Sequence, residues 1–366
     1  MSATPYSDLK VAWDLDRLAE LRDTGRTTPS QIQLVISDLC NNDCTFCAYR
    51  MSGYSSNQHF GEIGPHGFTN NPNRLIPFAK AIEILDDARS LGVGGIQFTG
   101  GGEPTVHPQH LAIFDHALGL GLKAALVTNA NRLADGWQGV LPSFSWIRAS
   151  IDAGTAETYT AIRKVPLTRF DVALANVSAL AAQIERAGSA CYLGTSFIVT
   201  KENYREIAQA ARRVKETGAR SIRFAAIFSP EMSSYYEGIR EECLSQVATA
   251  ISDIQDSSFR VIDMLGQRMG DLARGKPDYR KCHYQQLNVY IGGDQKAYRC
   301  CNTAYNDLGD LGSMKNRRLT EWFYDPKTTE SYVNFNPKAC DHCAFNGKNE
   351  ILGYLCDDTP DHAEFV

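Results

Sequence analysis

Three cysteines lie within eight residues, at Cys40, Cys44 and Cys47, in the spacing C-x3-C-x2-C. They directly follow an apolar run, Ile32 to Ile36, which predicts a buried strand. A [4Fe-4S] cluster normally takes four protein thiolates, so three cysteines would hold three irons and leave one iron open to an outside ligand. The spacing therefore predicts an iron–sulfur site with an open coordination position at the end of a strand.

Clustered cysteines also occur in disulfide scaffolds and in zinc sites. Eleven cysteines in 366 residues are far fewer than a disulfide scaffold contains. The chain opens without a charged segment followed by an apolar one, which favours a cytoplasmic location, where clustered cysteines bind metals or act in catalysis. Zinc is the remaining alternative, but this spacing offers no nearby fourth ligand.

Composition excludes some function classes. The hydrophobic content of 43% and the charged content of 22% are ordinary for a globular protein. No apolar run approaches the roughly 18 residues that span a bilayer, so no membrane partner is expected. The net charge of −5 argues against nucleic-acid binding, because no basic stripe is available to displace counterions.

Strand and helix signals alternate from residue 31 onward. Each predicted strand is followed by a helical pattern, which implies a parallel sheet with right-handed crossovers. The chemistry-bearing residues follow the strands, as they do in parallel α/β folds. We therefore predict an α/β fold with a partial (β/α)6 barrel and a small cysteine-rich C-terminal extension. The predicted strands are Gln31–Ser37, Gly95–Thr99, Lys123–Thr128, Trp146–Ile151, Ala190–Val199 and Ser221–Phe228.

Four regions are predicted along the chain. Residues 1–30 form an N-terminal leader with one helix between Trp13 and Leu21, capped by Asp14. Residues 31–235 form the barrel, 236–280 a connecting helical segment, and 281–366 a domain for a second cluster. The long segment 48–74 contains His59 and His66 and is expected to form a wall of the active site or to be disordered.

A glycine-rich turn follows the second predicted strand, with the sequence Gly100-Gly101-Gly102-Glu103-Pro104. Consecutive glycines allow the backbone to approach a ligand closely. The carboxylate of Glu103 would then accept hydrogen bonds from an ammonium group. A plain strand-to-helix turn, with Glu103 near a helix N-terminus, is the alternative interpretation.

The cysteine motif with Phe46 before its last cysteine, followed by a strand ending in Gly-Gly-Glu-Pro, resembles the radical SAM superfamily. The resemblance covers Gln31 to about Pro230. It implies that Cys40, Cys44 and Cys47 hold a [4Fe-4S] cluster whose open iron binds the amino and carboxylate groups of S-adenosylmethionine (SAM). It also implies an external one-electron reductant of the flavodoxin or ferredoxin type.

The same resemblance implies a set of residues that contact SAM. The amino group of its methionine part would meet the glycine turn, and its ribose and carboxylate would meet polar residues at the ends of later strands. Capping or surface pairing stays open as the role of Asn129, Ser150 and Arg163. The set is Gly101, Gly102, Glu103, Asn129, Ser150, Asp152 and Arg163.

Further cysteines lie in the C-terminal third. Cys282 and Cys300 flank a predicted β-hairpin, Leu287–Ile291 and Lys296–Arg299, and Cys340 and Cys343 form a C-x2-C pair. Four thiolates in two pairs predict a metal site, with a zinc ribbon as the alternative. The stretch resembles the short "twitch" form of the SPASM extension, which implies one auxiliary [4Fe-4S] cluster.

The remaining cysteines receive no firm role. Cys301 and Cys356 are each an alternate ligand, a catalytic thiol or an inert buried residue. No catalytic residue is assigned; Cys191, whose strand enters the barrel, and Cys356 are the candidates for a catalytic thiol.

The resemblance implies an enzyme that cleaves SAM to a 5′-deoxyadenosyl radical and abstracts hydrogen from a small-molecule substrate. Net oxidation through the auxiliary cluster, as in an oxidoreductase, is the first interpretation. A redox-neutral rearrangement or epimerisation, or modification of a peptide or nucleotide-type substrate, stays open. A non-enzymatic iron–sulfur or zinc protein fits less well, because an electron carrier needs no amino-acid-binding turn. The substrate cannot be named from the sequence.

Overall fold

A computed structural model describes residues 6–49, 63–64, 67–68, 74–227, 231–357 and 362 of the chain. His59 and His66, and most of the predicted loop 48–74, lie outside the described residues. The described strands are β1 Gln31–Leu34, β2 Ile63–Gly64, β3 Gly67–Phe68, β4 Gly95–Phe98, β5 Lys123–Thr128, β6 Trp146–Ser150, β7 Tyr192–Val199, β8 Ser221–Ala226, β9 Arg260–Asp263, β10 Asn288–Ile291, β11 Lys296–Tyr298 and β12 Asp310–Ser313.

Helices alternate with the strands of the central region, and others follow the hairpin β10–β11. The N-terminal helix begins after Asp14, whose side chain accepts a hydrogen bond from the Arg17 amide, as predicted for the leader. The helices are α1 Leu15–Thr24, α2 Phe78–Ser90, α3 His110–Gly119, α4 Ala156–Arg163, α5 Arg169–Arg186, α6 Ile207–Glu216, α7 Arg240–Asp253, α8 Leu265–Arg274, α9 Tyr284–Leu287, α10 Leu319–Phe323, α11 Pro326–Val333 and α12 Asn346–Cys356.

One sheet organises the molecule. Its ten strands run in the order β12-β11-β10-β1-β4-β5-β6-β7-β8-β9. From β10 through β1 to β9 every neighbouring pair is parallel, whereas β10, β11 and β12 pair antiparallel. The predicted α/β class with a mostly parallel sheet is confirmed.

The six-strand count is corrected in two places. Strand β9 adds a further parallel strand beside β8, within residues 236–280 that were predicted to be helical. The predicted hairpin is present as β10 and β11, but β10 pairs with β1, Gln31 opposite Asn288, and so continues the barrel sheet. Two short 3₁₀ turns, Trp137–Gly139 and Leu141–Ser143, lie between β5 and β6 where an α-helix would complete the alternation.

The two faces of the sheet differ in chemistry. Alternate residues of each strand, such as Ile96, Phe98 and Ile147, are buried against the helices in one large apolar core. The opposite face, here called the inner face, carries polar residues including Gln33 and Gln97, whose amide groups are 3.5 Å apart. Because successive side chains of a strand point to opposite faces, apolar and polar residues alternate along these strands with a period of two.

Candidate functional site

A cavity of about 370 Å³ lies where β1, β4, β5, β6, β7 and β8 reach their carboxyl ends. Its lining includes every residue predicted to hold the first cluster or to contact SAM. These residues are Cys40, Cys44, Cys47, Gly101, Gly102, Glu103, Asn129, Ser150, Asp152 and Arg163. The fold thus brings ten residues, spread over more than a hundred positions of the sequence, into one site.

The cysteine loop is held by the C-terminal end of α4. The amides of Asp43 and Thr45 donate hydrogen bonds to the carbonyl oxygens of Arg163 (3.0 Å) and Ile162 (2.8 Å), which are left unpaired where the helix ends. The Asn42 amide also donates to the Cys40 sulfur at 3.4 Å. The loop geometry is therefore fixed by backbone contacts in addition to any metal it binds.

Burial disfavours the charged thiolate form of Cys44. The pKa of Cys44 is raised to about 12, chiefly by burial. The nearby Arg163 charge opposes this rise, and the charges of Cys47 and Cys40 contribute to it. Iron binding requires thiolates, so loading this loop with metal would release protons. The donor set, three thiols of intermediate exposure facing one cavity, fits a cluster held on three sides.

The glycine turn packs directly against the segment that leads into the cysteine loop. The Gly102 and Glu103 amides donate to the carbonyl oxygens of Ser37 (3.0 Å) and Leu39 (2.9 Å). A Cβ atom on Gly101 would lie 2.2 Å from Oδ1 of Asp38, a buried carboxylate that also pairs with Arg74. The close approach explains why glycine is required at this position.

Replacing Gly101 by alanine is expected to lower the free energy of unfolding by about 1–3 kcal/mol, because the added methyl group overlaps Asp38. SAM binding should weaken as well, since the turn must shift. Gly119→Ala is the matched control, because a Cβ there meets nothing within 4 Å. Urea unfolding and equilibrium dialysis with SAM measure both effects; equal stability of the two variants would contradict the packing argument.

The Glu103 carboxylate is buried and partly satisfied by the protein. Its Oε1 accepts from the Thr105 amide (3.1 Å) and from the hydroxyls of Thr105 (2.8 Å) and Thr128 (2.7 Å), and its Oε2 accepts from the Asn129 amide (2.7 Å). Burial raises the pKa of Glu103, and these hydrogen bonds oppose the rise. With one protein donor, Oε2 keeps a lone pair for another, so Glu103 caps the turn and still offers an acceptor.

Arg163 forms a buried ion pair with Asp152. Its guanidinium also donates to the Ser150 carbonyl oxygen at 2.9 Å, and Asp152 accepts from the Ile198 amide at 2.6 Å. The two side chains are 3% and 1% exposed, so each depends on the other for its charge. Arg163 therefore lines the cavity as half of an ion pair, rather than as an isolated cation.

A second, small cavity lies in the C-terminal region. Cys282, Cys300, Cys340 and Cys343, the four predicted auxiliary ligands, all line it. The Tyr279 hydroxyl lies 3.2 Å from the Cys343 sulfur. Burial raises the pKa of Cys282 to about 12 and that of Cys343 to about 11, and neighbouring thiols add to both rises.

The four thiols surround a common space lined by aromatic rings, including Tyr284 and Phe345. Within the described ranges, no three His, Cys, Asp or Glu side chains converge where one metal ion would bind. Four thiols lining one space match the number of protein thiolates that a [4Fe-4S] cluster takes.

The remaining cysteines differ in whether they line a cavity or are buried in an apolar core. Cys301 lines the first cavity, together with Asn302, although its neighbour Cys300 lines the second. Cys356 packs beside Leu18 and Leu21, and Cys191 is buried in the core against the helices. Neither predicted candidate for a catalytic thiol lines either cavity. Cys301 was missed as a cavity residue, although its position directly after Cys300 could have indicated it.

No helix in the described part of the chain is long and apolar enough to cross a membrane.

Comparison with known proteins gives a family and a fold. Residues 34–214 match the model of the Radical SAM superfamily. No curated protein matches the chain in sequence at a significant level. The solved structure of Streptococcus suis SuiB bound to S-adenosylmethionine is similar with a TM-score of 0.62 and 17% identity, over 94% of this chain and 80% of that chain. SuiB bound to precursor peptide SuiA is similar with a TM-score of 0.60 and 15% identity, over 98% and 82%. The chain therefore contains a radical SAM domain, which includes the cysteine loop and the Gly100–Glu103 turn.

Proposed function

We propose that this chain is a radical SAM enzyme that abstracts hydrogen from a small-molecule substrate and oxidises it through an auxiliary [4Fe-4S] cluster. The single observation that carries the proposal is the shared cavity, in which three cysteines of one loop face the glycine turn and four polar residues from the ends of β5 and β6 and from α4. When bound and reduced, the first cluster and SAM supply a 5′-deoxyadenosyl radical.

Each part of the cavity has a role in this proposal. Cys40, Cys44 and Cys47 hold the first cluster, while Glu103 and the carbonyl groups of the glycine turn accept hydrogen bonds from the SAM amino group. Ser150 and Asn129 offer hydroxyl and amide groups to its polar atoms. The Asp152–Arg163 ion pair holds the end of α4 in place. That end in turn holds the cysteine loop, because the Arg163 carbonyl oxygen accepts a hydrogen bond from the Asp43 amide. In this proposal the protein orients SAM and shields it from solvent, and the cofactor supplies the radical chemistry.

The position of Cys301 supports oxidation through the second cluster. Cys300 lines the second cavity and Cys301 lines the first, so two residues joined by one peptide bond reach the two proposed cluster sites. Four thiolates would leave the auxiliary cluster without an open iron, which suits electron transfer better than substrate binding. An external one-electron reductant would serve the first cluster.

Anaerobic incubation with SAM, a reductant and candidate substrates tests the proposal. We expect substrate-stimulated release of 5′-deoxyadenosine, a product two hydrogens lighter than the substrate, and about eight irons per chain after reconstitution. About four irons together with tightly bound zinc would overturn the two-cluster assignment. A product of unchanged mass would instead show a redox-neutral rearrangement or epimerisation.

Modification of a peptide is a second candidate, favoured by the likeness to SuiB, whose structure has been solved with a precursor peptide. Including short peptides among the candidate substrates separates the two, because only the true substrate class should stimulate 5′-deoxyadenosine release.

A further inference from the structure

Two arginines lie on the inner face of the sheet, next to the SAM cavity. In the parallel register Ser150 of β6 is opposite Ser196 of β7, and Ser196 is opposite Arg223 of β8. Paired residues of adjacent strands point to the same face, and so do residues two apart in one strand, which adds Arg148 of β6. Ser150 lines the cavity, Arg148 lies two residues nearer the amino end of β6 on the same face, and Arg223 is level with Ser150 in the register of the sheet.

Within the described part of the chain, neither arginine forms a salt bridge with a carboxylate. The Nε atoms of Arg148 and Arg223 are buried and have no hydrogen-bond partner. Their recorded contacts are with aromatic rings: Arg148 lies 5.4 Å from the Trp146 ring centre, and Arg223 lies 5.3 Å from that of Tyr6. An arginine that serves structure in a protein interior is ordinarily paired with a carboxylate or carbonyl groups.

The two charges also repel each other. Burial lowers the pKa of Arg223, and the positive charge of Arg148 is the next cause. Arg268 lowers it further; Tyr6 and Asp152 oppose the fall, but Asp152 is already paired with Arg163. The interior therefore keeps an excess of positive charge, which costs stability and is typical of a site that awaits an anionic ligand.

We infer that Arg148 and Arg223 form an oxyanion-binding subsite for the substrate, which would therefore carry a carboxylate or phosphate group. The inference rests on the proposed function for the identity of the adjoining cavity. Guanidinium groups match both oxyanions because their planar N–H donors bind two oxygens at once. The subsite would hold the charged end of the substrate on the inner face, beside the serine pair Ser150 and Ser196, whose hydroxyls are 3.4 Å apart.

Thermal unfolding of the full-length, reconstituted protein tests the subsite without radical chemistry. The probes are sodium phosphate and sodium acetate, compared with sodium chloride at equal ionic strength to remove general screening. We expect phosphate or acetate to raise the Tm of the wild type by about 2 °C or more. The same shift should appear in Arg212→Gln, an exposed arginine on α6, and should be lost in Arg148→Gln and Arg223→Gln. The relative size of the two shifts distinguishes a phosphate-bearing from a carboxylate-bearing substrate.

The sign of the mutational effect separates binding from structure. Without anions, Arg223→Met should raise the Tm, because it removes a partly buried positive charge next to Arg148, whereas loss of a structural arginine would lower it. Equal anion shifts in all variants, no shift in the wild type, or a lower Tm for Arg223→Met would each overturn the inference. Since no reductant is present, an anion shift without SAM cleavage would count against the proposed function alone, and SAM cleavage without an anion shift against the subsite alone.

Discussion

Replacing Cys44 by alanine is expected to abolish reductive cleavage of SAM and to leave about four of about eight irons per chain. Cys44 lies between Cys40 and Cys47 in a loop whose backbone is already fixed by α4, so no other thiol of the described cavity lining except Cys301 is available to replace it. A first cluster held by two thiolates would be lost on desalting. Iron per protein after anaerobic reconstitution, and 5′-deoxyadenosine after reduction, measure the effect.

Two further variants make this test specific. Cys300→Ala should also remove about four irons, but from the second cavity, so that a variant carrying both changes binds almost none. Cys243→Ala replaces a buried cysteine of α7 that lines neither cavity and should keep the wild-type iron content. Undiminished iron in Cys44→Ala, or equal loss in Cys243→Ala, would show that the cysteine loop is not the cluster site.

Replacing Arg163 by methionine is expected to lower the free energy of unfolding by about 3–5 kcal/mol. The change leaves the Asp152 carboxylate, which is 1% exposed, buried without its cation. It also loosens the end of α4 that holds the Asp43 and Thr45 amides, so SAM cleavage should fall together with stability. Urea unfolding gives the stability, and 5′-deoxyadenosine release at a temperature where the variant is folded gives the activity.

The exposed pair Arg205–Glu242 provides the control. Its side chains are 72% and 46% exposed, and its closest charged atoms are 3.2 Å apart. Arg205→Met should therefore cost no more than about 1 kcal/mol, because water solvates both partners in its absence. A comparable loss in both variants would mean that Arg163 acts through lost packing and not through its charge. Restoring stability with Arg163→Met in an Asp152→Asn background would support the ion-pair explanation.

Much of the site was predictable because its signals are local in sequence. The cysteine spacing, the glycine turn and the polar residues after each strand all lie at the carboxyl ends of strands, and a parallel sheet gathers those ends at one edge. The same argument located the auxiliary cavity, since Cys282 and Cys300 flank a hairpin with a recognisable turn. The proposed roles of these residues in binding the clusters and SAM stay predictions.

The errors concern contacts that only the folded chain defines. Strand β9 is four residues long, and each of its faces has one buried and one exposed residue, so the sequence shows no alternation there between two helices. The pairing of β10 with β1 joins segments that no local propensity relates. Cys191 was only a candidate for a catalytic thiol because its strand enters the barrel; it packs in the core against the helices, since one residue of shift reverses the face of a strand.

The pairing of β10 with β1 also has a consequence for the order of events during synthesis. Strand β1 leads directly into the cysteine loop, and one of its two neighbours is made only when residues 288–291 leave the ribosome. Until then the growing chain exposes an unpaired strand edge beside three reactive thiols, a state open to wrong pairing and oxidation. If the cysteine loop holds a cluster as proposed, delivery of iron and sulfide to it is thus expected to follow translation of the C-terminal third.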